Sequence, residues 1–447
     1  MSETNHFHDM IDIDGELIFK DVAFELALAT GSHELLNHFW DHYTGPVRRK
    51  GRILFVTRAR PGERLRITCD ALDTSDPEPL LTCFDPTFRY RWVPVMHSKP
   101  VYYRFHGRHP YVDPQNRFLS FTGAPGTSVV YGEGRGRLLK LLVPPGKLGA
   151  GLRPLFVYLP AVCFDQGVKV PAIYMQDGDN LFRGSPRAPF GTWNIAEQLD
   201  VAIARGVVAP VAVVGITTEN RADEYLHADD LWGENQVGRL TEYTEFVTGT
   251  LIPAAEEALP LLSGSEHRAI SGSSFGGTSS FLMAWRNPHV FSKVASFSHS
   301  TGTGLPAPGG VDRSLLATIR ETTPLPDLKI YVDSGDSEHD GSRTYTSDSR
   351  AHTDHLRNWL ISKGWAGRKE YCAPGETAPR DYPVTSDFQS VPTLYHSPET
   401  PQGYRDYRDY LKPEQNLLHL LGVHHKHNEE AWEARVMAAF QYLFPSA

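Results

Sequence analysis

The sequence predicts an α/β fold built around a mostly parallel sheet with helices on both faces, and three observations carry that prediction. From about residue 130 onward, short apolar runs alternate with longer helical stretches. The runs are apolar residue after residue, which is the texture of strands buried on both faces rather than one. One of them leads directly into HRAISGSSFGG at 267–277, where strand, tight turn and helix follow within a few residues.

The strand candidates are RLLKLLVPP, PLFVYLP, PAIYMQDG, VAVVGIT, HRAISG, KVASFS, LKIYVDSG and NLLHLLGV. The helical stretches between several of them are TWNIAEQLDVAIARG, TEYTEFVTGTLIPAAEEAL, SFGGTSSFLMAWRN, SRAHTDHLRNWLISKG and EEAWEARVMAAFQYLF. Residues 373–413 are rich in Pro, Tyr and Asp and lack periodicity, so they read as an insertion over the site. Tyr404, Tyr407 and Tyr410 within it are candidates to stack on aromatic rings.

The N-terminal part has a different texture. Residues 16–43 read as one or two helices, broken and capped at Gly31-Ser32. From 51 to about 107 the runs are short, β-branched and aromatic, and Pro, Gly and Asp clusters separate them. That pattern predicts a small antiparallel β-sandwich, immunoglobulin-like, with a structural or substrate-covering role. A carbohydrate-binding role would rest on exposed aromatics alone. Residues 108–128, with DPQN and GAPGTS, read as a linker. The expected division is a helical lead and β-sandwich over 1–120, then a catalytic domain over 121–447.

Composition narrows the partners. The formal charge of −9 comes without any clustered basic run, so no nucleic-acid partner is expected. No run of about 18 apolar residues occurs, so no membrane span is expected either. The N-terminus, MSETNHFHDMIDIDGELIF, lacks the basic start and apolar core of a signal peptide. Cys69, Cys83, Cys163 and Cys372 form no C-x-x-C pair, which argues against a disulfide frame and for a reducing cytoplasm.

The chemistry centres on Gly272-Ser273-Ser274-Phe275-Gly276, a G-x-S-x-G frame that only Ser274 satisfies. Exposing a hydroxyl at the tip of a sheet requires a sharp turn, with no Cβ two residues before or after the serine. The N–H of Phe275 then opens a helix and points where an oxyanion would form. A second donor is expected from YMQDGDNLF, a strand ending at Asp177, where Gly178 or Asp179 would offer a backbone N–H.

A serine nucleophile needs a base and an orienting acid, and in α/β hydrolases these follow in the order acid, then histidine. LKIYVDSGDSEHD at 328–340 runs from a strand into a turn holding Asp336, Glu338 and Asp340, with Asp333 inside the strand. Glu338 is the preferred acid and Asp336 its rival. VHHKHNEEAW at 423–432 supplies His424, His425 and His427. Asn428 can serve as N-cap of the last helix, which favours His427 as the base and leaves His425 as the alternative. A metal reading would use His425 and His427 with Asp336, Glu338 or Asp340, but no H-E-x-x-H or similar motif occurs. No metal and no cofactor are expected.

YMQDGDNLF, the following Trp193, IARGVVAPVAVVGITTENRADEY, the serine elbow and HNEEAW together resemble the putative-esterase branch of the α/β hydrolases. That branch includes enterochelin esterases, feruloyl esterases, S-formylglutathione hydrolase and mycolyl transferases. NHFWDHYTGPVRRKGRILFVTR and PYVDPQNRF resemble the leading β domain of the cytoplasmic enterochelin esterases. The resemblance implies an α/β-hydrolase fold with Ser274 as nucleophile, His427 as base and Glu338 as acid, acting on a small-molecule ester such as a siderophore trilactone. Where many siderophore esterases carry histidine–aspartate–tryptophan, this chain has His427-Asn428-Glu429. Acyl transfer and feruloyl-type hydrolysis are the alternatives on the same scaffold. A non-catalytic binding protein is the alternative from another class.

Overall fold

A computed structural model of the chain describes residues 8–72, 74–186, 188, 190–231, 235–300, 313–322, 326–338, 340–342, 347–363, 365, 394–396 and 416–446. The chain divides into two units: Met1–Lys140 with Val157–Val170 and Ala258–Pro260, and Leu141–Phe156 with Pro171–Glu257 and Leu261–Ala447.

The first unit begins with a hairpin, Met10–Ile13 against Glu16–Phe19. Helix Lys20–Thr30 follows and ends on Gly31 at φ 66°, and Ser32 then caps helix His33–His42 by accepting the Leu35 N–H. Break and cap therefore fall where the sequence placed them. Two antiparallel sheets come next. Val47–Arg49, Arg52–Arg58, Phe88–Pro94 and Leu81–Thr82 form one. Pro110–Tyr111, Val101–His106, Arg66–Cys69 and Glu78–Pro79 form the other, with Ser128–Val130 also paired to Val101–His106.

The alternation along Arg52–Arg58 explains why three layers stack here. Ile53 and Phe55 join Ile67, Val93 and Phe105 in one buried cluster, while Leu54 and Val56 join Phe24, Leu36 and Phe39 in another. The stretch expected to be a linker belongs to this unit. Asp113 is buried and accepts the Tyr103 O–H at 2.6 Å, and Asn116 Nδ2 donates to the Val129 carbonyl at 2.7 Å. The polar residues of DPQN look like loop in sequence because they serve neighbouring strands rather than a pattern of their own.

The second unit carries most of a nine-stranded sheet. Its order is Arg137–Val143, Arg153–Leu159, Ala212–Ile216, Ala172–Met175, Arg268–Ser273, Lys293–Phe297, Lys329–Gly335, Leu417–Gly422 and Leu394–His396. The six pairings from Ala212–Ile216 to Leu394–His396 are parallel. Ala172–Met175, Ala212–Ile216 and Leu417–Gly422 are buried at every position, as both-face coverage requires. Helices Phe275–Arg286, Arg350–Ser362 and Glu429–Leu443 pack on the sheet, and Ile195–Ala204 packs on Glu429–Leu443.

Each of the eight strands expected in this region is present. Leu394–His396 is an additional strand, and apart from it the insertion expected at 373–413, with Tyr404, Tyr407 and Tyr410, lies outside the described residues. Among the described residues no helix is long and apolar enough to cross a membrane.

Candidate active site

Strand Arg268–Ser273 ends at Ser274, which takes φ 57° and ψ −126° before helix Phe275–Arg286 begins. A non-glycine residue in that region costs about 1–3 kcal/mol, and such strain persists only where the surroundings hold it. Two features hold it here. The Ser274 N–H donates to the Phe297 carbonyl at 3.0 Å, and its own carbonyl accepts the Thr278 N–H at 3.1 Å. Glycine is required around it because a Cβ on Gly272 would stand 2.6 Å from the carbonyl carbon and oxygen of Gly276. The Ser274 Oγ lies 3.4 Å from the hydroxyl of Ser300.

The turn expected to supply the second oxyanion donor lies beside this elbow. A Cβ on Gly276 would meet Asp177 Oδ2 and the Gln176 Cβ at 3.1 Å each. Asp177 sits at φ 54°, and Gly178–Asn180 forms a short 3-10 turn after it. Arg221 ties the pieces together: its Nε and Nη2 reach Asp177 at 2.8 and 2.9 Å, and Nη2 also donates to the Ser273 carbonyl at 3.3 Å. Asn180 donates to Glu429 at 3.1 Å, which links the same turn to the start of the last helix. Gly178, Asp179 and Phe275 thus sit on adjoining turns.

The three histidines separate clearly. His424 stands at φ 63° and gives its backbone N–H to Asp336 Oδ1 at 2.6 Å. His425 is buried, with Nδ1 3.1 Å from Arg435 Nη1. A guanidinium only donates, so that nitrogen presents a lone pair inward and His425 is occupied as an acceptor. His427 is different. Its Nδ1 lies 2.5 Å from Oδ1 of Asp348, with the His427 side chain 33% exposed and that of Asp348 at 0%. A carboxylate accepts, so Nδ1 carries a proton, and in the neutral ring Nε2 is then the nitrogen with the lone pair. Asn428 accepts the Ala431 N–H at 3.1 Å and caps the last helix, and the edge-to-face packing of the Trp432 and His427 rings, 5.1 Å apart, holds the imidazole.

The carboxylate beside His427 is therefore that of Asp348, which was not among the residues expected. Glu338 is exposed and closes a small turn through its backbone bonds to Ser342 and Gly341. Asp336 is buried and receives the His424 N–H and the Ser337 hydroxyl. Asp333 lies inside its strand, as expected, fully buried against Arg435; burial raises its pKa and Arg435 opposes the rise. Asp348 itself takes φ 48° and ψ 38° just before helix Arg350–Ser362. Its local sequence, Ser-Asp-Ser ahead of a helix, reads as an ordinary cap, and only the fold marks it out.

Among the described residues no three of His, Cys, Asp and Glu are grouped so as to hold a metal ion. The described cysteines Cys69, Cys83 and Cys163 are buried free thiols.

The family model for Putative esterase matches residues 151–366. An uncharacterized protein of Bacillus subtilis (strain 168), YbbA, is 30% identical over 159 residues, covering 34% of this chain; the chain spans 58% of that protein's length. In structure the chain is similar to the enterobactin esterase FES of Shigella flexneri, with 14% identity and a TM-score of 0.45, covering 92% of this chain and 98% of that one. It is also similar to an IroE-like serine hydrolase of Shewanella oneidensis, with 14% identity and a TM-score of 0.46, covering 69% and 80%. At these scores the structural likeness carries no inference about what this chain binds. The match over residues 151–366 is to the putative-esterase family model, and it supports an ester-hydrolysing enzyme of the serine-hydrolase type.

Proposed function

We propose that this protein is a serine carboxylic-ester hydrolase in which Ser274 is the nucleophile, His427 the base and Asp348 the acid. The observation that carries the reading is the 2.5 Å bond from His427 to Asp348, which engages Nδ1 and gives Nε2 the acceptor role. Ser274 Oγ attacks the ester carbonyl carbon while His427 Nε2 takes its proton. Backbone N–H groups of Phe275 and of Gly178 or Asp179 receive the oxyanion. As the tetrahedral intermediate collapses, the C–O bond to the alcohol breaks and His427 returns the proton to the leaving oxygen. Water then attacks the acyl-enzyme, gives a proton to His427, and the carboxylic acid departs with Ser274 restored.

The substrate class we propose is a siderophore trilactone of the enterochelin type, hydrolysed in the cytoplasm. The free buried thiols support the reducing compartment, and the resemblance of the leading segment to enterochelin esterases supports the substrate. We assign the two-sheet region, strand Ser128–Val130 included, to an immunoglobulin-like leading domain, ahead of an α/β-hydrolase domain with its insertion at 373–413.

A fluorophosphonate probe tests the mechanism. Labelling at Ser274, with p-nitrophenyl butyrate hydrolysis lost in Ser274→Ala, is the expected result. Folded protein that takes no label, or a Ser274→Ala variant with full activity, removes the serine mechanism and favours a binding protein. Turnover of iron-free and ferric trilactone siderophores against simple aryl esters then tests the substrate class.

A further inference from the structure

We propose that Ser298 is a positioning residue for Asp348, holding the acid in place from the side opposite His427; this rests on the triad reading above. Ser298 sits just beyond strand Lys293–Phe297, is fully buried, and takes φ 40°. Its hydroxyl has three polar neighbours: Trp432 Nε1 at 3.0 Å, Arg435 Nη2 at 2.9 Å and Asp348 Oδ2 at 2.7 Å.

The direction of these bonds follows from chemistry alone. Indole and guanidinium nitrogens only donate, so they occupy the two lone pairs of the Ser298 oxygen. Its single proton then has one acceptor left, the Asp348 carboxylate. Neither donor can reverse, and the hydroxyl cannot turn away without leaving buried groups unpaired.

Arg435 is itself fixed. It is fully buried, and Asp333 receives its Nε at 2.9 Å and its Nη2 at 3.2 Å. Asp333 also accepts the Ser298 N–H at 3.0 Å and the Tyr331 O–H at 2.8 Å, so backbone and side chain of Ser298 hang on one frame. On Asp348, Oδ2 thus receives the Ser298 O–H together with the Gly335 N–H, and Oδ1 is left facing His427. Rotating the carboxylate would break all three bonds at once. Ser298 therefore acts on the imidazole through Asp348, and Trp432 joins the same frame to the His427 ring.

Ser298→Ala in the full-length protein tests this. The expected result is a fall in kcat of about tenfold to a hundredfold, the scale of one hydrogen bond to a charged group. KM should stay within about twofold, because no substrate contact is removed. The far-downfield proton resonance of His427 Nδ1–H should move upfield or broaden away. That resonance is also readable in Ser274→Ala protein, where turnover plays no part. An unmoved resonance overturns the proposal, whatever kcat does, and so does an unchanged kcat in an active enzyme. Absence of ester hydrolysis and of Ser274 labelling in wild-type protein would instead sink the esterase reading, leaving the resonance to decide the role of Ser298. Should Ser298→Ala fail to fold, Ser298→Cys, which keeps a weaker donor, carries the same two readouts.

Discussion

His427 Nδ1 lies 2.5 Å from Asp348 Oδ1, across a separation of 79 residues in the chain. The pairing singles out one histidine among three and names a carboxylate that local sequence does not distinguish. It also sets up a comparison between two acids in the same loop region, only one of which touches the imidazole.

Asp348→Asn should lower kcat by roughly 10³–10⁴-fold with the fold intact, because an amide facing Nδ1 favours the wrong tautomer. Glu338→Gln should leave kcat within about twofold, since its side chain is exposed and away from that bond. Steady-state hydrolysis of an activated ester reads both. Equal losses in the two variants would reject Asp348 as the acid.

Gly272→Ala should destabilise the elbow rather than merely slow it. A Cβ there would press to 2.6 Å on the Gly276 backbone and to 2.9 Å on the Gln176 Cβ, and backbone cannot swing aside as a side-chain tip does. Overpacking of this kind costs about 1–3 kcal/mol. The expected outcome is a lower melting temperature together with loss of probe labelling at Ser274. A variant with unaltered stability and labelling would show that the turn does not need the close approach.

His299 ties stability to pH. It is fully buried, neither ring nitrogen has a hydrogen-bond partner among the described residues, and burial pushes its pKa down to about 3. An unfolded histidine titrates near 6.5, so the unfolded chain binds the proton that the folded one refuses. The contribution is fully present above pH 6.5 and is lost as pH falls from there toward 3, at up to about 1.4 kcal/mol per pH unit. His299→Leu should flatten that part of the curve. Melting temperatures between pH 7 and pH 4 check it, and an equal slope in both proteins would assign the effect elsewhere.

Much of this site was legible in sequence because its parts are local. The G-x-S-x-G frame needs only five consecutive residues to force an elbow, and Asn428 needs only the three that follow to cap a helix. The fully buried strands announced themselves in the same way, since a strand buried on both faces has no place for polar alternation. DPQN was misread for the opposite reason: Asp113 and Asn116 bond to residues on other strands, so their purpose has no local period.

The amino-acid sequence by itself determined the alternation of buried strands and helices, the sharp turn at Ser274 and the segment that holds His427. The tertiary structure alone decided which carboxylate meets His427, and it did so through parallel strands that carry Ser298, Asp333 and Gly335 to the same end of the sheet. Side chains that meet across three strands and a helix are bound by geometry, and no spacing along the chain encodes that meeting.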